Sequence, residues 1–156
     1  HDPVAVGFSW SRNPAYQLSD QFGGPHGDYY NDITRVPAGA RATTVALRAG
    51  ARVDQVSLTL AGGTVLTHGG SGGTAASLTL GGDEYLTTAY LCQGQKDGHT
   101  RIFYARFTTN LGRTLAGGTT TSTCVTRTAP TGRQIAGFHG RSGDAVDKIG
   151  FVYTRR

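Results

Sequence analysis

Two stretches of this chain repeat one another, offset by 93 residues (147 minus 54). Arg48-Ala49-Gly50-Ala51-Arg52-Val53-Asp54-Gln55-Val56 and Arg141-Ser142-Gly143-Asp144-Ala145-Val146-Asp147-Lys148-Ile149 both read R-[AS]-G-x-x-V-D-[QK]-[VI]. In each, a glycine stands four residues ahead of an aspartate, where the chain turns into an apolar run (Ile149-Gly150-Phe151-Val152-Tyr153 in the second copy). Equivalent turns in repeated units imply a fold with approximate rotational symmetry. A third unit is expected around Gly94-Gln95-Lys96-Asp97-Gly98-His99-Thr100-Arg101-Ile102, where Gly and Asp stand three rather than four apart, so that copy is degenerate.

Between these turns the chain reads as short strands punctuated by glycine. Val53 to Leu60 alternates, with Val56, Leu58 and Leu60 on one face and Gln55, Ser57 and Thr59 on the other. Gly62-Gly63 is a hairpin signal leading into Thr64-Val65-Leu66-Thr67. Further strands are expected at 43–48, 76–80, 85–91, 101–108, 134–138 and 147–153, and Gly69-Gly70-Ser71-Gly72-Gly73 reads as a loop between strands rather than a linker. No window longer than ten residues holds a helical period. With 24 glycines among 156 residues and 16% charged residues, the composition is that of an ordered, turn-rich, all-β chain. Many short strands at regular spacing argue for a closed or multi-sheet arrangement. Residues 1–20, polar and irregular with Pro3 and Pro14, read as an N-terminal extension, and residues 21–156 as one domain.

The net charge of +5 permits loose attraction to polyanions, but the basic residues are scattered and only Arg155-Arg156 are adjacent. Without a basic stripe interleaved with stacking aromatics, nucleic acid is not expected as a partner. Nor is membrane insertion, since no apolar run approaches the ~20 residues that span a bilayer. Two cysteines, Cys92 and Cys124, are either buried thiols or one disulfide; a Gly/Thr-rich β chain favours the disulfide, and hence export. A chain with no methionine reads as a processed product or an excised piece from which any signal segment is gone.

The ordered features resemble jacalin-related lectins over about residues 20–154. They run from Gly23-Gly24-Pro25-His26-Gly27-Asp28-Tyr29-Tyr30-Asn31-Asp32 through Gly82-Asp83-Glu84-Tyr85-Leu86 and Phe103-Tyr104-Ala105-Arg106-Phe107-Thr108-Thr109-Asn110. They end in Ile135-Ala136-Gly137-Phe138-His139-Gly140-Arg141-Ser142-Gly143 with Asp147 and Ile149-Gly150. The resemblance implies a β-prism I of three four-stranded Greek-key sheets with pseudo-threefold symmetry. It also implies glycan or glycoprotein partners, with no catalysis, metal or cofactor. Carried over, Asp147 supplies a carboxylate, the turn Gly143, Asp144, Ala145 and Val146 supplies backbone N–H groups, and Gly27 lies in the facing loop. Gly50, Ala51, Arg52, Val53 and Asp54 form a second candidate carbohydrate site.

The chemistry of those residue types agrees. A carboxylate accepts from two neighbouring sugar hydroxyls while backbone N–H groups donate to the same oxygens. One such site on well-hydrated hydroxyls binds weakly, so several sites, or a homo-oligomer, raise the avidity. Asp144 and Ala145 offer nothing that stacks on a pyranose ring; with the loop before Gly27 uninterrupted, the resemblance implies mannose- or glucose-type ligands.

Other readings compete. Asp147 is also suited to capping its own turn, Arg52 beside Asp54 to pairing with a carboxylate instead of serving a sugar site, and Asp97 in Lys96-Asp97-Gly98-His99 to a solvated hairpin end. The module also suits protein interaction or adhesion, or accessory service in a larger secreted protein with a decayed sugar site. A free His1 can chelate copper, but that chemistry needs a second His held opposite, and nothing in the sequence places His26, His68, His99 or His139 there. There is no G-x-S-x-G nucleophile elbow.

Overall fold

The computed structural model describes residues 14–156. His1, and the copper-chelating reading attached to it, lie outside the described residues. Among them the chain forms β1 (Tyr16–Leu18), β2 (Phe22–Gly23), β3 (Asp28–Asn31), β4 (Ala42–Ala49), β5 (Val53–Leu60), β6 (Val65–Gly69) and β7 (Thr74–Thr79). It continues with β8 (Leu86–Lys96), β9 (His99–Thr109), β10 (Thr114–Gly118), β11 (Thr123–Thr128), β12 (Arg133–Ser142) and β13 (Val146–Arg155). A short 3-10 turn, Ile33–Arg35, follows β3.

These strands make three antiparallel sheets. Sheet A has the order β1-β13-β12-β3 with β2 also on β13, sheet B is β6-β5-β4-β7, and sheet C is β10-β9-β8-β11. In each, a long central hairpin is flanked by the two strands that follow or precede it, joined by a loop that crosses the sheet's end. This is the β-prism of three four-stranded Greek-key sheets that the resemblance implied. One boundary differs from expectation. The stretch 1–20 is not all extension, because Tyr16–Leu18 pairs with Thr154–Val152 at the edge of sheet A. Its lack of apolar alternation follows from that edge position, with Gln17 and Leu18 exposed.

The pseudo-threefold relation is exact in register. Val45 faces Leu58 in sheet B, Ala89 faces Phe107 in sheet C, and Phe138 faces Phe151 in sheet A. Each hairpin then carries a β-bulge one pair further from its tip, after Ala42, Leu86 and Ile135. All six of those paired side chains are fully buried. The rings of Phe107, Phe138 and Phe151 meet with centroids 6.1–6.4 Å apart, in edge-to-face or tilted pairs that aromatic quadrupoles favour. Ala89 makes room for Phe107 opposite it, so the axis is filled by complementary sizes rather than by identical residues.

Polar groups tie the sheets together. Asp32, after β3, accepts from His68 of β6 at 2.9 Å and from the Phe138 N–H at 3.1 Å, and Tyr30 stacks on the His68 ring at 3.7 Å. Burial, then the Asp32 and Asp147 carboxylates, push the Tyr30 phenol well above its ordinary range. Glu84 is buried ahead of β8 and accepts from Arg113, Thr109 and the Gly81 N–H. Arg113 first, then the other donors, hold its carboxyl down to about 2. That contribution to stability is therefore complete above the ordinary Glu range and is lost as pH falls through about 2.

Cys92 and Cys124 form the expected disulfide, bridging directly paired residues of β8 and β11. Thr123–Thr128 had no clear strand signature, because β11 is an edge strand whose polar face is outward. Replacing both cysteines by alanine should lower the unfolding free energy by about 3–4 kcal/mol, the chain-entropy value for a separation of 32 residues. Urea denaturation of the oxidised wild type and the double variant measures this, and coincident midpoints contradict it.

Candidate functional site

The terminal turn closes the hairpin of β12 and β13. Ser142 pairs with Val146 beyond a bulge, and the Gly143 N–H donates to the Ala145 carbonyl at 3.0 Å. The earlier copy is built identically: Ala49 pairs with Val53, and the Gly50 N–H donates to the Arg52 carbonyl at 3.0 Å. The Gly143 N–H is thus engaged within the turn, where the resemblance implied a free donor. Asp144 and Ala145 donate to no backbone acceptor among the described residues. Gly143 itself is not in a left-handed conformation, and a Cβ there would meet nothing within 4 Å. What glycine provides at this position is open space above the turn.

Gly27 is different. Its φ is +83°, and a Cβ would stand 2.6 Å from Asp147 Oδ2, so the facing loop can lie over the carboxylate only as glycine. Arg141 Nη2 donates to the Gly27 carbonyl at 3.0 Å and holds that loop in place. Gly27 therefore lies beside Asp147, at the end of the hairpin that the 143–146 turn closes. The part played by the leading Arg of the repeat was not foreseen, although its recurrence in both copies was visible.

A third component was missed altogether. The central hairpin of sheet C does not end in a bulged turn. It runs on to a two-residue turn, Asp97-Gly98, with φ of 52° and 79°. This longer finger lies against the loop of sheet A. A Cβ on Gly24 would overlap the Thr100 carbonyl, and His26 stacks on His99 with centroids 3.8 Å apart. Arg101 Nε comes to 3.4 Å from Asp147 Oδ1, and both atoms are buried without a hydrogen-bond partner. Asp147, 2% exposed, has its carboxyl pushed above the ordinary range by burial, against the opposing pull of Arg101, His26, His99 and Arg141.

The second candidate site repeats the first. Gly73, with φ +70°, would bring a Cβ 2.7 Å from Asp54 Oδ2. Arg48 donates to the carbonyls of Ser71, Gly72 and Gly73 at 3.1–3.2 Å. Gly50, Ala51, Arg52, Val53 and Asp54 therefore share one end of the prism with a facing Gly70–Gly73 loop. That loop also rests on the first site, since a Cβ on Gly70 would overlap the Asp144 carbonyl.

In sheet C the corresponding position is held by Phe103, whose carbonyl takes the Thr119 N–H just as Asp147 and Asp54 take those of Gly24 and Gly70. Asp97 stands at the exposed tip of the finger beside Lys96. Among the described residues no third site of this kind is assembled in sheet C. Among the described residues no cluster of three or more His, Cys, Asp or Glu is arranged to hold a metal. What the first two turns offer is a fixed, nearly buried acceptor beneath a backbone edge.

The Jacalin-like lectin domain model matches residues 19–152. Horcolin of Hordeum vulgare is 28% identical over 137 residues, covering 84% of this chain and 92% of horcolin. Secreted RxLR effector protein 19 of Plasmopara viticola is 26% identical over 149 residues, covering 89% and 81%. Among solved structures, wild-type Malaysian banana lectin superposes with a TM-score of 0.78 at 26% identity, covering 90% of this chain and 99% of the lectin. A mannose-specific jacalin-related lectin from Morus nigra in complex with mannose gives 0.77 at 25% identity, covering 91% and 96%. With its three-sheet fold and a family match over most of its length, this chain belongs to the jacalin-like lectin domain family.

Proposed function

We propose that this protein binds glycans non-covalently, without catalysis, at the site formed by Asp147, the Gly143–Val146 turn and the Gly27 loop. The observation that carries this reading is Gly27 lying over the Asp147 carboxylate. A polar acceptor nearly shut off from water, beneath a loop that admits no side chain, is fitted to take hydroxyl donors. Mannose- or glucose-type ligands are favoured, in keeping with the mannose bound to the Morus nigra relative. Asp54, with its turn and the Gly70–Gly73 loop, forms a second site of the same kind. Two sites at one end of the prism support multivalent capture of branched glycans or glycoproteins, and association of several copies would strengthen it. The Cys92–Cys124 disulfide supports a secreted setting.

Asp147→Ala should weaken binding of methyl α-mannoside at the first site about tenfold to a hundredfold, the loss of charge-assisted hydrogen bonds worth ~1.5–3 kcal/mol. Calorimetry on this variant and on Asp54→Ala should each find one site fewer than wild type. Full stoichiometry in both, or no sugar bound by wild type across a glycan array, would reject the proposal.

Gly27→Ala should act like Asp147→Ala on binding, because its Cβ displaces either the loop or the carboxylate. An unchanged affinity would show that the loop can yield.

The raised carboxyl of Asp147 gives a pH dependence with a definite sign. A group whose folded value is raised stabilises the fold fully below its ordinary value and loses that contribution as pH rises through the raised one. The ionised, hydroxyl-accepting form is thus the one that burial disfavours. Affinity for a neutral mannoside at this site should fall on acidification at a pH above the ordinary Asp range of about 4. A titration by calorimetry whose midpoint lies below that range would contradict it.

A further inference from the structure

We propose that the Asp147 site takes an acidic saccharide, its hydroxyls on Asp147 and its carboxylate or sulfate on Arg101 beside the His26–His99 pair. This rests on the glycan-binding reading above and specifies its ligand class.

Arg101 is the observation that carries it. Its side chain is four-fifths buried (20% exposed), yet its guanidinium donates to no acceptor among the described residues. Arg48 donates to three carbonyls, Arg141 to Gly27, and Arg113 to Glu84 and Thr79, whereas Arg52 in the second candidate site shares with Arg101 a buried Nε that has no partner. Of these two, only Arg101 stands beside the Asp147 carboxylate. A guanidinium cannot shed its charge, and its five N–H groups fit planar, two-oxygen acceptors. Asp147 Oδ1 comes to 3.4 Å from Arg101 Nε, and neither atom has a hydrogen-bond partner. One guanidinium between two anions is a stable arrangement, and it leaves the Nη edge for a ligand's charge.

The surroundings favour that charge. His26 and His99 stack nearly parallel, at 19°, beside the carboxylate, and Arg141 lies behind the loop. Asp28 and Asp144, the other carboxylates near the turn, are exposed to solvent, where their fields are screened. A neutral sugar leaves Arg101 with hydroxyl partners at best, whereas a carboxylate or sulfate supplies the paired acceptors its geometry calls for.

The test uses calorimetry on the full chain with three size-matched probes: neutral mannobiose, its monosulfated forms and a uronate-terminated counterpart. Wild type should bind the better acidic probe about tenfold more tightly than the neutral one at low salt. Raising salt from about 50 to about 500 mM should shrink that ratio towards one. Arg101→Gln should bring the ratio within about twofold, while Arg101→Lys keeps part of it as a point charge. His99→Gln, on the exposed finger, should lower it less.

The sulfated and uronate arms show which anion is preferred. Equal binding of neutral and acidic probes by wild type overturns this inference and leaves the glycan-binding reading standing. A tenfold preference that survives Arg101→Gln also overturns it. Failure to bind any probe overturns both. If Arg101→Gln does not fold, the wild-type salt dependence decides: a salt-insensitive preference overturns the inference.

Discussion

Everything at the working end of this prism depends on how three crossing loops seat against the strands they cross. In each sheet a glycine of positive φ, Gly23, Gly69 or Gly118, lies against a backbone carbonyl, that of Asp147, Asp54 or Phe103. The next residue, Gly24, Gly70 or Thr119, donates its N–H to that carbonyl at 2.8 Å. A Cβ at any of the three glycines would overlap the carbonyl, so the loop passes close enough for this bond only without one. In sheets A and B the bond fixes the residue that carries the carboxylate. The facing loop and the acceptor beneath it are thereby set in one step.

The loops are then fastened at equivalent register positions by different chemistry. Arg141 pairs with Tyr29 and Arg48 with Ala75, and each arginine reaches the loop carbonyls. In sheet C the matching pair is Cys92 and Cys124, a covalent link in place of the guanidinium. The same sheet has Phe103 where the others have aspartate, and its hairpin runs on as a finger over the neighbouring site. One repeat has thus lost its own acceptor and become a wall for another's, bringing Thr100, His99 and Arg101 against the sheet A loop.

The repeat made the two turns legible, because R-[AS]-G-x-x-V-D keeps both the clamp and the acceptor at fixed spacing. It did not show that Gly143 donates its N–H within the turn, since that depends on the bulge beside Ser142 and not on residue type. Edge strands were the least legible part of the fold. Tyr16–Leu18 and Thr123–Thr128 each pair on one side only, so neither had to show a clear apolar alternation. Arg101 was out of reach for a different reason. It lies 46 residues from Asp147 (147 minus 101), in another repeat and another sheet, and nothing in the local sequence points it at that carboxylate.

By itself the sequence determined an all-β chain, its glycine turns and two equivalent G-x-x-x-D units. These are local or periodic properties, set by backbone freedom at glycine and by alternation along a strand. Only the tertiary structure decided which carboxylate has an arginine from another sheet beside it, how far each is withdrawn from water, and that the degenerate unit packs against its neighbour's turn. Burial and charge at a point are sums over every element that converges there. At Asp147 those elements come from two sheets that meet only after the prism has closed.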